Sequence, residues 1–165
     1  MKGRHVFATV LAGVLFSLPA QATIITLQAN LNGANEVPGP GDEDGTGFAT
    51  FTIDTVASTI SWAVTVENID PVIAAHIHPG PAGVAGPPLI DFSAMLNGGP
   101  LTVPSADLAA VIADPSAFYY NVHTDPFQPG AIRGQLELVS RVAEPGSAGL
   151  LILGLIGVAW LRRRS

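Results

Sequence analysis

His76 and His78 flank Ile77 in the run Ile73-Ala74-Ala75-His76-Ile77-His78, which alternates as a strand does. Residues two apart on a strand point to one face, about 6.5–7 Å apart along the chain. Two imidazoles at that spacing chelate a single transition metal. His123 ends a second strand-like run, Ala117 to His123, with Tyr119 and Asn121 on its face. If the two strands are neighbours, the three rings form a three-nitrogen site suited to copper or zinc. The competing reading is structural. His78 would bond a carbonyl of the Pro79–Pro88 stretch, and His123 would bond Thr124 or Asp125. Convergence of the three rings in space separates the two readings. The fourth histidine, His5, lies in the N-terminal leader and is set aside.

Other chemistry is sparse. The chain has no cysteine, so it has no disulfide, thiol nucleophile or CxxC metal site. Asp42-Glu43-Asp44 offers oxygens to calcium, but the spacing matches no EF-hand loop and reads as a solvated turn. Ser105 has no activating base nearby and reads as a helix cap. Arg133 stands in an acidic body and is expected to pair with a carboxylate, Glu36 or Asp125. Glu36 itself is expected to order its loop by accepting from local amides. No set of residues reads as catalytic.

The elements that must position these residues are short strands. Ile25, Leu27, Ala29 and Leu31 share one face; so do Ala49, Phe51 and Ile53, and then Ile60, Trp62, Val64 and Val66. Asp54 to Ala57 turns the second run into the third. In the fourth run Ile73, Ala75 and Ile77 are expected inward. Leu89 to Phe92, Ala117 to His123 and Ile132 to Val139 complete about seven strands. Asn32 to Thr46 and Pro79 to Pro88 are loops rich in Gly and Pro. One short helix is expected from Ser105 to Ile112, with Asp107 in its first turn. The pattern predicts an all-β, antiparallel Greek-key sandwich or barrel with one short helix. Trp62 reads as core.

Charge sets the ends apart from the middle. Lys2, Arg4, Arg162, Arg163 and Arg164 lie near the termini. From Thr23 to Glu144 only Arg133 and Arg141 face thirteen acids, a formal charge of −11. A body so acidic repels phosphate backbones, which argues against a nucleic-acid partner. Lys2 and Arg4 precede the uncharged run Val6–Leu18, then Pro19 and Ala20-Gln21-Ala22. This is the layout of a secretory signal, with Ala20 and Ala22 at the positions signal peptidase reads. Residues 1–22 are therefore expected to be a signal helix, 23–142 the β domain and 143–165 a tail. Ala148 to Leu161 is uncharged and spans about 21 Å as a helix. Trp160 at its end and the cytoplasmic Arg162, Arg163 and Arg164 suit a membrane anchor.

Two resemblances follow from these residues. Val142-Ala143-Glu144-Pro145, the apolar stretch and the terminal arginines resemble a PEP-CTERM sorting tail, with Ala143 where the first proline is usual. That resemblance implies recognition at Glu144 and Pro145 by an exosortase, in an exopolysaccharide-producing Gram-negative bacterium. Leu31-Asn32-Gly33-Ala34-Asn35-Glu36-Val37-Pro38, Ala75-His76-Ile77-His78 and Tyr120-Asn121-Val122-His123-Thr124, followed by Ile132-Arg133-Gly134-Gln135-Leu136, resemble a CHRD domain. Ala131 stands where that family usually has glutamate. The expected function is a non-catalytic binding or structural module of the cell surface or its polysaccharide matrix, with a polysaccharide or protein ligand. The alternative is a histidine-ligated copper or zinc protein, redox-active in the copper form.

Overall fold

The computed structural model describes residues 22–143. The expected signal segment through Gln21, with Ala20, and the expected tail from Glu144 through Pro145 to Arg162, Arg163 and Arg164 lie outside the described residues. The body is antiparallel β throughout, with one short α-helix, as expected.

Alternation of large apolar and polar residues makes the first three strands. β1 (Thr23–Asn32), β2 (Thr46–Asp54) and β3 (Thr59–Glu67) form a meander in which Leu27 faces Phe51 and Phe51 faces Trp62. Their inward side chains are those expected, except that Val66 is only half-buried. The β2–β3 turn is closed by Asp54, whose Oδ1 accepts from the amides of Val56 and Ala57 at 2.9 and 2.8 Å. β4 (Val72–Pro79), β5 (Ile90–Asp91), β6 (Asn97–Thr102), β7 (Phe118–Thr124), β8 (Ile132–Gln135) and β9 (Glu137–Ala143) complete nine strands. The sheet order is β5-β4-β7-β8-β1-β2-β3-β6, and β9 takes the part of the β1 edge that β8 leaves free.

The sheet curls into a half-barrel around one apolar core. Phe51 of β2 meets Tyr120 of β7 edge-on at 5.1 Å, although three strand pairings separate those strands. Trp62 of β3 meets Phe92, just after β5, at 4.8 Å. Only curvature brings such distant strands together, and it removes both faces of those rings from water.

Three local expectations are corrected. A register shift between Val72 and Ala74 turns Ile73 outward, where it is exposed; Ala75 and Ile77 remain in the core. The run from Ile132 to Val139 is two strands, broken at buried Leu136. β6, for which the alternation gives no signal, contains Gly98-Gly99-Pro100. It is an edge strand, where proline is tolerated, and Gly98 sits opposite Trp62. A Cβ there would come within 2.8 Å of the indole, so the missing side chain leaves room for the Trp62 ring. The helix α1 (Ser105–Ala113) begins after Pro104, and Ser105 makes no capping bond.

Candidate metal centre

β7 is buried along both faces from Tyr119 to Thr124, even though it carries Asn121, His123 and Thr124. One face, with Tyr120 and Val122, joins the apolar core. The other carries Tyr119, Asn121 and His123 and is roofed by loops. The β4–β7 register sets His76 opposite Asn121, His78 opposite Tyr119 and Ala74 opposite His123. His76 and His123 are therefore diagonal neighbours, within reach of one another.

The three histidines converge. One ring nitrogen from each of His76, His78 and His123 lies within 4.8 Å of the others. His76 Nδ1 is 3.0 Å from His123 Nε2. The ring centroids are 5.4 Å apart for His76 and His78, 4.9 Å for His76 and His123, and 6.1 Å for His78 and His123.

Backbone carbonyls fix two of the tautomers. His78 Nδ1 lies 2.9 Å from the Gly86 carbonyl and His123 Nδ1 lies 2.8 Å from the Gln128 carbonyl. A carbonyl only accepts, so both Nδ1 atoms carry the proton and both Nε2 atoms keep their lone pairs. His78 Nε2 is buried and has no partner. On the third ring, His76 Nε2 is 3.6 Å from Asp91 Oδ1, across the β4–β5 pair. The Nδ1 atom of this ring faces His123 Nε2, and the Asp91 carboxylate stands where it could hold a proton on Nε2 if Nδ1 became a ligand. Carbonyl and carboxylate partners of this kind orient metal-binding histidines.

Electrostatics favours the neutral rings that a metal requires. Burial pushes His78 down to about 4, and the His76 and His123 rings add to this while the Gly86 carbonyl opposes it. Burial also lowers His123, with His76 acting the same way and the Gln128 carbonyl against. Two nitrogens bound to one ion at 2.0–2.1 Å sit at most about 4 Å apart. The widest pair, at 4.8 Å, would have to close by roughly 1 Å to share one ion.

Carbonyl bonds of the expected kind form at two rings, and the three rings also converge. The loop carbonyl expected for His78 is Gly86, within the Pro79–Pro88 stretch. The partner of His123 is Gln128, in place of Thr124 or Asp125. Those bonds use Nδ1 and leave Nε2, so they orient the rings for a shared ligand. Asp91 and Gln128 went unnoticed in the sequence, because only strand pairing and loop closure bring them to the rings.

Arg133 is also corrected. It makes no ion pair with Glu36 or Asp125. Its Nη2 donates to the carbonyls of Pro81 and Val84, both at 2.9 Å, and to Gln135 Oε1 at 3.1 Å. Its guanidinium carbon sits 3.4 Å from the centre of the Tyr119 ring. Tyr119 in turn stacks on His78, 4.8 Å between centroids and 4° from parallel. One tyrosine thus braces both a histidine of β4 and the arginine of β8. Glu36 is buried, and its Oε2 accepts from Asn121 Nδ2 at 3.2 Å. Gly130 packs so close that a Cβ there would lie 2.5 Å from that oxygen. Glu43 and Asp44 are exposed, as a solvated turn should be.

Comparison with protein families matches residues 27–136 to the CHRD domain. No curated protein and no solved structure matches the chain.

Proposed function

The chain belongs to the CHRD family, and on that premise we propose that it is a non-catalytic binding module that holds one transition-metal ion at His76, His78 and His123. One observation carries the reading: three ring nitrogens converge within 4.8 Å, while the other nitrogen of His78 and of His123 is tied to a carbonyl. Three neutral imidazoles without a thiolate suit copper or zinc. When bound, the ion cross-links β4 to β7 and supplies a Lewis-acid or, for copper, a redox centre. The chain's own residues orient the rings and exclude water from two of them.

The test is metal analysis of tag-free full chain after dialysis against limiting copper or zinc. The expected result is one ion per chain, lost in His76→Ala and in His123→Ala. Equal metal content in wild type and both variants would falsify the assignment.

The setting proposed for this module is the cell envelope. The signal segment supports export through signal peptidase, and the apolar tail with its terminal arginines supports membrane anchoring. The Glu144-Pro145 motif supports processing by an exosortase and delivery to the surface or its polysaccharide matrix.

A further inference from the structure

A cavity lies on the same loop-covered face, apart from the three histidines. It measures about 250 Å³ and opens between the Asn35–Val37 segment and the Ala82–Gly83 turn, with Arg133 and Gln135 of β8 also lining it. Most of its polar groups are already used. Gln135 Nε2 donates to the carbonyls of Gly80, Ser116 and Phe118, and its Oε1 accepts from Arg133. Asn35 Nδ2 donates to the Arg133 carbonyl at 3.1 Å, and the Asn35 amide donates to Asn32 Oδ1.

Two groups are left over. Arg133 is 1 % exposed and Glu36 is 7 % exposed, yet Arg133 Nη1 and Glu36 Oε1 have no partner. They do not satisfy each other, since the side chains form no ion pair. Leaving a buried guanidinium N–H and a buried carboxylate oxygen unpaired is costly. The Tyr119 ring and the Pro81 and Val84 carbonyls hold the arginine in place. Asn121 and the close approach of Gly130 hold the glutamate. Glu36 also lines a smaller cavity of about 140 Å³ beside Pro126 and Gly130, but only the larger one includes Arg133.

We propose that this cavity is a binding site for a small neutral polyol, a single sugar ring being the matching size, with one hydroxyl accepting from Arg133 Nη1 and its neighbour donating to Glu36 Oε1. A vicinal diol supplies one acceptor and one donor side by side, which is the complement of the two unpaired groups. The cavity lies below the roughly 300–1,000 Å³ of sites for drug-sized ligands, so one ring fits and an oligosaccharide does not enter whole. Arg133 repels a cation. The formal charge of −11 on the body disfavours an anion. A neutral ligand avoids both penalties.

The experiment uses the metal-free full chain in a detergent without a sugar headgroup. Ligand-detected NMR and calorimetry are run with D-glucose, D-galactose and myo-inositol, and with acetate as the anionic probe. Two variants accompany wild type. Glu36→Met removes the acceptor oxygens, and Ala82→Trp fills the rim from an exposed position. The expected result is saturable binding of at least one polyol, weakened at least tenfold in both variants, with no saturation by acetate. Absence of polyol binding, binding unchanged by Ala82→Trp, or a preference for acetate each overturns the proposal. The metal analysis above reads a different set of residues, so either site can fail without the other.

Discussion

His76 Nδ1 and His123 Nε2 face each other at 3.0 Å, although 47 residues separate them in the chain. Without a metal, one proton must lie between these two nitrogens. His123 already donates through Nδ1, so that proton belongs to His76 Nδ1. A metal held at His76 Nδ1 would take its place, and the ring proton would then sit on Nε2, beside Asp91. Under the proposed function, metal uptake would be coupled to a tautomer change at one ring.

Metal should stabilise the fold by about 2.7 kcal/mol at a hundredfold excess over Kd. His76→Ala and His123→Ala should abolish that gain. Each should also lose roughly 0.5–1.5 kcal/mol without metal, for the hydrogen bond removed. Burial holds His78 and His123 neutral, so proton competition at these two rings should begin only below their unperturbed value of about 6.5. Melting curves with and without copper or zinc, from pH 5 to 8, measure both effects. A metal response that persists in both variants contradicts the site.

Asp91→Asn should weaken metal binding without unfolding the protein. The Asp91 side chain is 66 % exposed and 3.6 Å from His76. Loss of such an outer partner costs 10–100-fold in affinity, and the lower end is expected for so open a group. Competition titration against a chromophoric chelator reads the change. An unchanged affinity would remove Asp91 from the site.

Glu36→Gln should alter how stability depends on pH. Burial pushes the carboxyl up to about 7, and Arg133, Asn121 and the Val37 amide only partly oppose it. A raised folded value means the native state binds more protons than the unfolded chain between about 4.5 and 7. The stabilisation is fully present below pH 4.5 and is lost as pH rises through 7, by an amount of order 3 kcal/mol. His78 acts in the opposite direction. Its folded value of about 4 means stability is lost as pH falls from 6.5 to 4. In the wild type the two slopes offset each other over the shared window. In the glutamine variant the slopes of His78 and His123, both lowered by burial, act without that opposition, so stability should rise from pH 4 to 6.5. Urea midpoints across this range decide it; identical profiles for the two proteins would place Glu36 in contact with water.

Trp62→Ala should cost about 3–5 kcal/mol through lost burial and the cavity left behind. The indole packs edge-on against Phe92, and its Nε1 donates to the Met95 carbonyl at 2.8 Å. Denaturant melts give the value, and a loss under about 0.5 kcal/mol would put the ring outside the core.

Export predicts a mature N-terminus at Thr23, after Ala20-Gln21-Ala22. N-terminal sequencing of envelope material checks this, and recovery of Met1 from mature protein rejects it. Truncation before Glu144 should release the body from membranes. Deletion of the host exosortase should leave the tail's mass on the chain if the Glu144-Pro145 motif is processed.

Much of the strand pattern was legible because period-two alternation survives wherever one face meets the core and the other meets water. Ile25 to Leu31, Ala49 to Ile53 and Ile60 to Val64 carry it clearly. The same periodicity put His76 and His78 on one face and His123 with Tyr119 and Asn121, so the three histidines were legible as a candidate set. Their meeting was not. It depends on β4 lying beside β7 in a register that makes His76 and His123 diagonal neighbours, and local sequence carries no information about which strands pair. The roles of Glu36 and Arg133 were hidden for a related reason. An isolated acid and arginine suggest an ion pair, but here loops and strands hold them apart and buried, each with an atom unpaired. Alternation predicts one buried face per strand. β7 has two, because loops far away in the chain cover the second, and that cover exists only once the chain has folded.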